Sequence, residues 1–424
     1  MKNILKFIAI VMLAFFAKAV VRRYRPHIVM VSGSVGKTST KDAVAEVLST
    51  RFFIRKSEKS FNSDFGVPFT ILGVKNPWGN PSAWLSVIKS SIALLLLPNH
   101  YPNMLVLEVG ADKPGDLARI LRIVTPNAVV ITKLPEIPVH VEAYSSPEEV
   151  HEEEFSPAYA LPAGAPLIVP SDDLNTMERT KLISARIISY GVSNNATAII
   201  SKCDFYESEG RVAGMKAHVA INDEQDDLIV NGSVGATQLL PVAAAIATAS
   251  AFNIPLAEAL KSLESYDPPP GRGRLIIGKN NSVIIDDSYN SSPAAVEEAL
   301  TTLKSFPRAT RRIAVLGDML ELGRYSVTEH ERIAVLAGES ADMIVTVGIR
   351  ARTFASAPGK AEVMQFDNSR SASGELASLV REGDVILVKG SQSIRTERIV
   401  EALLANPSDS SLLVRQEREW KRRL

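Results

Sequence analysis

The chain has 424 residues, 46% hydrophobic and 22% charged, with 47 basic side chains against 47 acidic ones. That composition is ordinary for a soluble globular protein of two or three domains with sizeable cores. Its one cysteine, Cys203, excludes an internal disulfide framework and any zinc site built on cysteines.

Charge is unevenly placed. Residues 1–25 hold Lys2, Lys6, Lys18, Arg22, Arg23 and Arg25 with no acid, so the rest of the chain carries 41 basic groups against 47 acidic, a net of −6. A mildly acidic body gives no reason to expect nucleic acid as a partner. Phe7 to Ala17 is unbroken apolar, and only Lys18 interrupts a continuation to Val21. At about 1.5 Å per residue this run spans roughly 22 Å, short of the ~30 Å hydrocarbon core of a bilayer. Three readings are open for residues 1–27: a membrane-surface helix or short anchor, a helix docked on the core, or a signal peptide cleaved near Ala17-Lys18-Ala19. The heavier positive charge after the run keeps the main body cytoplasmic if the helix inserts.

Ile28-Val29-Met30-Val31 then reads as a buried strand, and Thr38 to Leu48 as a helix. Between them stands Gly33-Ser34-Val35-Gly36-Lys37-Thr38-Ser39. A glycine-rich turn there aims backbone N–H groups and a helix N-terminus at an anion, Lys37 adds a point charge, and the Thr38 hydroxyl can hold Mg²⁺. Val31 occupies the place of the first glycine in the full phosphate-loop pattern, so this is a shortened form. The strand–loop–helix context favours a nucleoside triphosphate site over an ordinary turn.

From Ile28 to about Ser265, short apolar runs alternate with helix-length segments. Met104–Leu107, Ala128–Ile131 and Leu167–Val169 read as strands; Asp116–Val124 and Ala243–Ala251 read as helices. The alternation predicts an α/β fold with a doubly wound, mostly parallel sheet. Arg186 to Leu228 is more polar, and Ala217–Ile221 suggests a small β-excursion. Asp267-Pro268-Pro269-Pro270-Gly271 cannot continue a helix and marks a boundary. Beyond it Val283–Ile285, Ile313–Leu316, Ile344–Val347 and Val385–Val388 predict a second, Rossmann-like α/β domain, so the expected units are 1–27, 28–265 and 266–424.

Several segments carry polar residues that a core does not require. They are Asn62–Pro68, Glu108-Val109-Gly110 at a strand's carboxyl end, His140 in a loop, Gly271-Arg272-Gly273-Arg274, and Asp286-Asp287-Ser288-Tyr289-Asn290-Ser291-Ser292-Pro293. Strand carboxyl ends are where ligands bind in α/β sheets. Each has a bland alternative, since strand-end acids cap helices and loop histidines are often idle.

In order along the chain, with Gly317-Asp318-Met319-Leu320-Glu321-Leu322-Gly323 and Val388-Lys389-Gly390-Ser391, these segments resemble the Mur ligases. The Gly317–Gly323 run is most similar to the branch that adds D-alanyl-D-alanine to a muramoyl peptide. The resemblance covers residues 28 to about 405. It implies an ATP- and Mg²⁺-dependent amide ligase of peptidoglycan synthesis, in which a peptide carboxylate takes the γ-phosphoryl group and an amine then displaces phosphate. It implies that Thr38 and Glu108 hold one metal and Glu108 and His140 a second. It also implies that Arg272 reaches the phosphates, Asp287 the nucleotide ribose, and Gln238 the adenine. Asn62, Tyr289, Asn290 and Lys389 fall at substrate-binding positions.

Three departures accompany it. Only about 27 residues precede the first strand, where the family carries a UDP-sugar-binding domain, so that grip is missing or comes from a partner chain. The family's CO₂-carbamylated lysine is matched by Glu152 in His151-Glu152-Glu153-Glu154-Phe155, a carboxylate in place of a carbamate, unless the run is a solvated helix face. The family's Gly-x-His-Asn reads Gly235-Ala236-Thr237-Gln238. The expected function is therefore a ligase at the inner membrane surface. The rivals are a ligase of the same superfamily with a non-UDP or lipid-linked acceptor, or a tethered nucleotide-binding scaffold without activity.

Overall fold

The computed structural model describes residues 2–58, 61–77, 80–356 and 358–422, without the side chains of 2–5, 236 and 237. Two sheets follow one another along the chain. The first is built from β1 (His27–Ser32), β2 (Ile54–Lys56), β3 (Met104–Glu108), β4 (Ala128–Ile131), β5 (Pro166–Pro170), β6 (Arg186–Gly191), β7 (Ala198–Ser208), β8 (Arg211–Ile221) and β9 (Glu224–Asn231). Their spatial order is β2-β3-β1-β4-β5-β6-β7-β8-β9. Pairing is parallel as far as β7 and antiparallel from β7 to β9, the β-excursion expected from the polar stretch.

Helices cover both faces, which is why β1 reads as an uninterrupted apolar run. Along the same part of the chain lie α1 (Lys2–Tyr24), α2 (Lys37–Leu48), α3 (Gly66–Leu72), α4 (Pro81–Leu96), α5 (Asp116–Leu121), α6 (Pro147–Tyr159), α7 (Leu174–Thr180), α8 (Ala236–Ala251) and α9 (Leu256–Leu263). Val29 and Val31 pack with α2, α8 and α9 on one face, and Ile28 and Met30 with α1 and α3 to α6 on the other. Ala243, Ala244, Ala245 and Ala247 of α8 are all buried, small enough to let α2 approach closely. β1 lies between β3 and β4 while the chain visits β2 and β3 first, so the loop after β1 opens at the sheet's switch point.

After the Asp267–Gly271 break, β10 (Arg274–Ile277), β11 (Val283–Asp287), β12 (Arg311–Gly317), β13 (Met343–Val347), β14 (Glu362–Phe366) and β15 (Asp384–Lys389) form the second sheet, in the order β10-β11-β15-β12-β13-β14. Only β10 is antiparallel. α10 (Pro293–Ser305), whose first turn is set by the Ser292 cap and Pro293, follows β11. The α/β architecture expected from the alternating runs is the one observed.

The N-terminal segment is a helix docked on the core. Leu13, Ala17 and Val20, spaced four and three apart on one stripe of α1, are fully buried in the cluster that holds Val67, Phe69 and Ile71 of α3. Tyr24 stacks on Tyr101 at 4.5 Å and donates from its hydroxyl to the Leu94 carbonyl at 2.8 Å. No helix among the described residues is long and apolar enough to cross a membrane. The Lys2 side chain lies outside the described residues.

Candidate active site

The loop after β1 is shaped by two glycines. Gly33 (φ +118) lies so close to Thr132 that a Cβ there would meet its Oγ1 at 2.4 Å. Gly36 takes φ +91 immediately before α2, a conformation that favours glycine. The Ser34 and Val35 amides donate to the Lys133 carbonyl at 3.1 and 3.2 Å, pinning the loop across the end of β4. α2 then starts at Lys37, so its unpaired first N–H groups face the mouth of the sheet. Ser39 is buried, and its carbonyl accepts from Tyr266 Oη at 3.3 Å.

Glu108 ends β3 beside this loop. Its backbone N–H donates to Ser57 Oγ at 3.1 Å, and its Oε1 accepts from Thr38 Oγ1 at 3.2 Å. The Oε2 atom is buried with no hydrogen-bond partner. Burial pushes the Glu108 carboxyl above its ordinary range, opposed by the charges of Lys41, Lys37 and Arg272 and by the Thr38 bond. A hydroxyl and a carboxylate with one orphaned oxygen fit Mg²⁺, which takes most of its ligands from phosphates and water. Among the described residues no group of three or more His, Asp, Glu or Cys side chains converges as a metal cage.

The acidic run of α6 contributes a different residue from the one expected. A Ser146 cap, Pro147 in the first turn, and Glu149 Oε2 accepting from the Ser145 amide at 3.0 Å start the helix. Glu152 faces outward, paired with Arg179 Nε at 2.8 Å and accepting from Tyr159 Oη at 2.8 Å, and the structure does not bring it to Glu108. Glu153 caps α5, accepting from the Gly115 and Leu117 amides at 3.0 and 2.9 Å. Glu154 is the buried one. Its Oε2 accepts from Ser32 Oγ at 2.9 Å and the Gly33 amide at 3.2 Å, and its Oε1 lies 3.4 Å from Lys37 Nζ. Lys37 also donates to the Gly33 carbonyl. Asn62 closes this corner: a Cβ on Gly110 would stand 3.2 Å from both Asn62 Nδ2 and Lys37 Cε.

The second sheet's unit adds the remaining residues. Arg272, between Gly271 and Gly273 at φ +68 and +67, lies over the Tyr289 ring at 4.1 Å and is near enough for its charge to act on Glu108. Gln238 is buried beside Gly273 with its Oε1 unpartnered. Asp287 and Lys389 are register partners at the ends of β11 and β15, joined at 2.6 Å, and Lys389 also donates to the Asn290 carbonyl at 3.1 Å. Arg415 donates to the carbonyls of Ser288 and Tyr289, holding that loop from below. His140 sits across the boundary from Glu321, Nδ1 to Oε2 at 2.9 Å, and its Nε2 is 3.6 Å from Asp112.

The sequence motifs do not by themselves distinguish Glu154, Glu321 and Asp286 as individual site residues. Glu154 had a signal: it lies four residues after buried Val150, on the core-facing stripe of α6, where an acid needs a polar reason. Asp286 is fully buried, its carboxyl pushed up to about 6 by burial, with Ser288 as its hydrogen-bond partner.

Comparison with known proteins places the chain among its relatives. Residues 31–249 match the Mur ligase middle domain, and residues 271–392 match the Mur ligase glutamate ligase domain. The chain is similar to the UDP-N-acetylmuramoyl-tripeptide–D-alanyl-D-alanine ligase of Bacillus subtilis, 26% identical over 92% of this chain and 79% of that protein. It is 27% identical to the Escherichia coli protein of the same name, over 90% of this chain and 77% of that one. The crystal structure of MurF ligase from Thermotoga maritima in complex with ADP has the same fold, with a TM-score of 0.75 at 22% identity, covering 93% of this chain and 83% of that chain.

Proposed function

The chain belongs to the Mur ligase family, and on that premise we propose that it is an ATP-dependent, ADP-forming ligase that joins D-alanyl-D-alanine or a similar amine to the peptide carboxylate of a muramoyl-type precursor. The observation that carries the reading is convergence: Glu108, bonded to Thr38 at 3.2 Å with one oxygen buried and unpartnered, lies within reach of the charges of Lys37 in its own unit and of Arg272 in the second.

Phosphoryl transfer is mainly a task of positioning and charge. The N-terminus of α2 and Lys37 hold the nucleotide phosphates, and Arg272, steadied on the Tyr289 ring, adds a third charge from the facing unit. Thr38 and Glu108 would hold Mg²⁺, which supplies charge neutralisation and orients the phosphates. The acceptor carboxylate attacks the γ-phosphorus and ADP leaves. The amine then attacks the resulting acyl phosphate, forming the amide and releasing phosphate. Gln238 and Asp287 are assigned to the adenine and ribose, and Asn62, Tyr289, Asn290 and Lys389 to the substrates. His140 is assigned to tying the units together through Glu321, and Glu154, rather than Glu152, to the carboxylate beside the reacting phosphate.

The division into 1–27, 28–265 and 266–424 is part of this proposal, supported by the proline-rich break between the two sheets. So is a location at the inner face of the cell membrane, supported by the acid-free, basic residues 1–25. Phosphate release from ATP, measured with muramoyl tripeptide and D-alanyl-D-alanine singly and together, tests the reading: release should require both.

A further inference from the structure

α1 and α4 lie side by side on one face of the first sheet, joined where Tyr24 Oη meets the Leu94 carbonyl and Arg23 donates to the Leu95 carbonyl at 2.5 Å. Each buries one stripe and leaves the opposite one in solvent. On α1 the outer stripe carries Phe7, Val11 and Phe15; on α4 it carries Leu85, Ile92 and Leu96. These are large side chains more than two-fifths exposed, up to 73% for Leu96, and so they form a surface rather than scattered residues.

Charge on this face has one sign. No Asp or Glu occurs from residue 1 to 41 or from 65 to 107, the stretches that hold both helices. Lys6, Arg22, Arg25 and Lys89 are exposed among and beside the apolar stripes. At the C-terminal end of α1 a cavity of about 580 Å³ is lined by Lys18, Arg22, Arg25 and Arg122, a basic hollow next to the apolar face.

We propose that the outer face of α1 and α4 together docks on an anionic lipid bilayer, its apolar stripes entering the headgroup boundary and its lysines and arginines meeting lipid phosphates. The proposal rests on the inner-membrane reading and extends it from residues 1–25 to a two-helix surface. A second copy of this chain fits less well, because a two-fold contact would press these cations against their own images. Nucleic acid would satisfy the charges and leave the phenylalanines and leucines in water. The face also leads to the site: Lys6 Nζ lies 5.8 Å from the centre of the Phe65 ring, in the loop that carries Asn62. A docked chain therefore holds its substrate loop at the lipid surface.

The test is co-sedimentation of the full chain with phosphatidylglycerol–phosphatidylcholine vesicles and with phosphatidylcholine vesicles alone. Binding should require phosphatidylglycerol and fall with added salt. Lys89→Glu and Arg22→Glu should each lower partitioning at least about fivefold, and Leu96→Ser should lower it comparably, while Lys89→Arg binds as the native chain does. All these side chains are exposed, so an unchanged circular dichroism spectrum separates lost docking from lost fold. Equal binding to neutral vesicles, indifference to the three variants, or a dimer that Leu96→Ser dissociates without any vesicle binding would each overturn the proposal. Phosphate release in vesicle-free solution should be the same in Leu96→Ser as in the native chain, so failure of docking and failure of the ligase reading are read separately.

Discussion

His140 Nδ1 meets Glu321 Oε2 at 2.9 Å across the boundary between the two sheet-bearing units, and both residues hold left-handed backbones, φ +66 and +65. Non-glycine residues in that region are strained, and strain of this kind gathers where a contact matters. Burial alone would lower the His140 pKa, but the Glu321 bond and charge, with Asp112, outweigh it and the net direction is up. The same bond, stronger than the opposing burial, holds Glu321 below its ordinary value.

A raised histidine contributes stability below its ordinary value, lost as pH rises through the folded one; a lowered glutamate contributes above its ordinary value, lost as pH falls through the folded one. Both contributions are present together between the ordinary values of 4.5 and 6.5. Scanning calorimetry should therefore show the gap between native protein and Glu321→Gln widest in that window and shrinking at alkaline pH. A gap independent of pH would mean that the pair does not couple the units.

Lys37→Ala should lower ATP turnover by about 10²–10³-fold, the usual cost of removing one well-placed charge from a phosphoryl-transfer site. The chain should stay folded, because Glu154 keeps the Ser32 and Gly33 donors. Turnover within a few-fold of native would remove the nucleotide assignment.

Glu154→Gln keeps the shape and deletes the charge beside Lys37. Turnover should drop roughly 10²-fold, while Glu152→Gln, changed only at its Arg179 and Tyr159 contacts, should stay near native. Since a glutamate needs no CO₂ to be anionic, activity should be indifferent to bicarbonate. The reverse ranking of the two variants in a steady-state assay would return the role to Glu152.

Leu13→Ala should cost about 2–4 kcal/mol in urea unfolding, since the side chain is fully buried against α3. Deleting residues 1–25 should expose the same apolar wall and make the chain aggregate. A soluble, equally stable truncation would show that α1 contributes nothing to the core.

The two α/β units and the phosphate loop were legible because apolar runs and a glycine-rich turn are local signals: Val29, Gly33 and Lys37 announce themselves within ten residues. Helical phase within the acidic run was harder. Glu152 and Glu154 differ by two residues, about 160° around a helix, and the sequence spacing alone did not say which of them faces the core. The α1 stripe was ambiguous for a related reason, since its apolar residues surround the helix and only the packing of α3 and α4 selects Leu13, Ala17 and Val20 as buried. The His140–Glu321 contact joins loops 181 residues apart, and no local pattern announces such a pairing.

The most direct test of an acyl-phosphate ligase is to follow heavy oxygen from the acceptor. Muramoyl tripeptide labelled in its terminal carboxylate is incubated with ATP, Mg²⁺, D-alanyl-D-alanine and the full chain, and the released phosphate is weighed by mass spectrometry. One labelled oxygen should pass to phosphate for each amide bond formed, because the carboxylate oxygen that captured the γ-phosphoryl group leaves with it. Phosphate carrying no label, its fourth oxygen taken from solvent, and released at the same rate without the amine, would show ATP hydrolysis by water and contradict the ligase assignment.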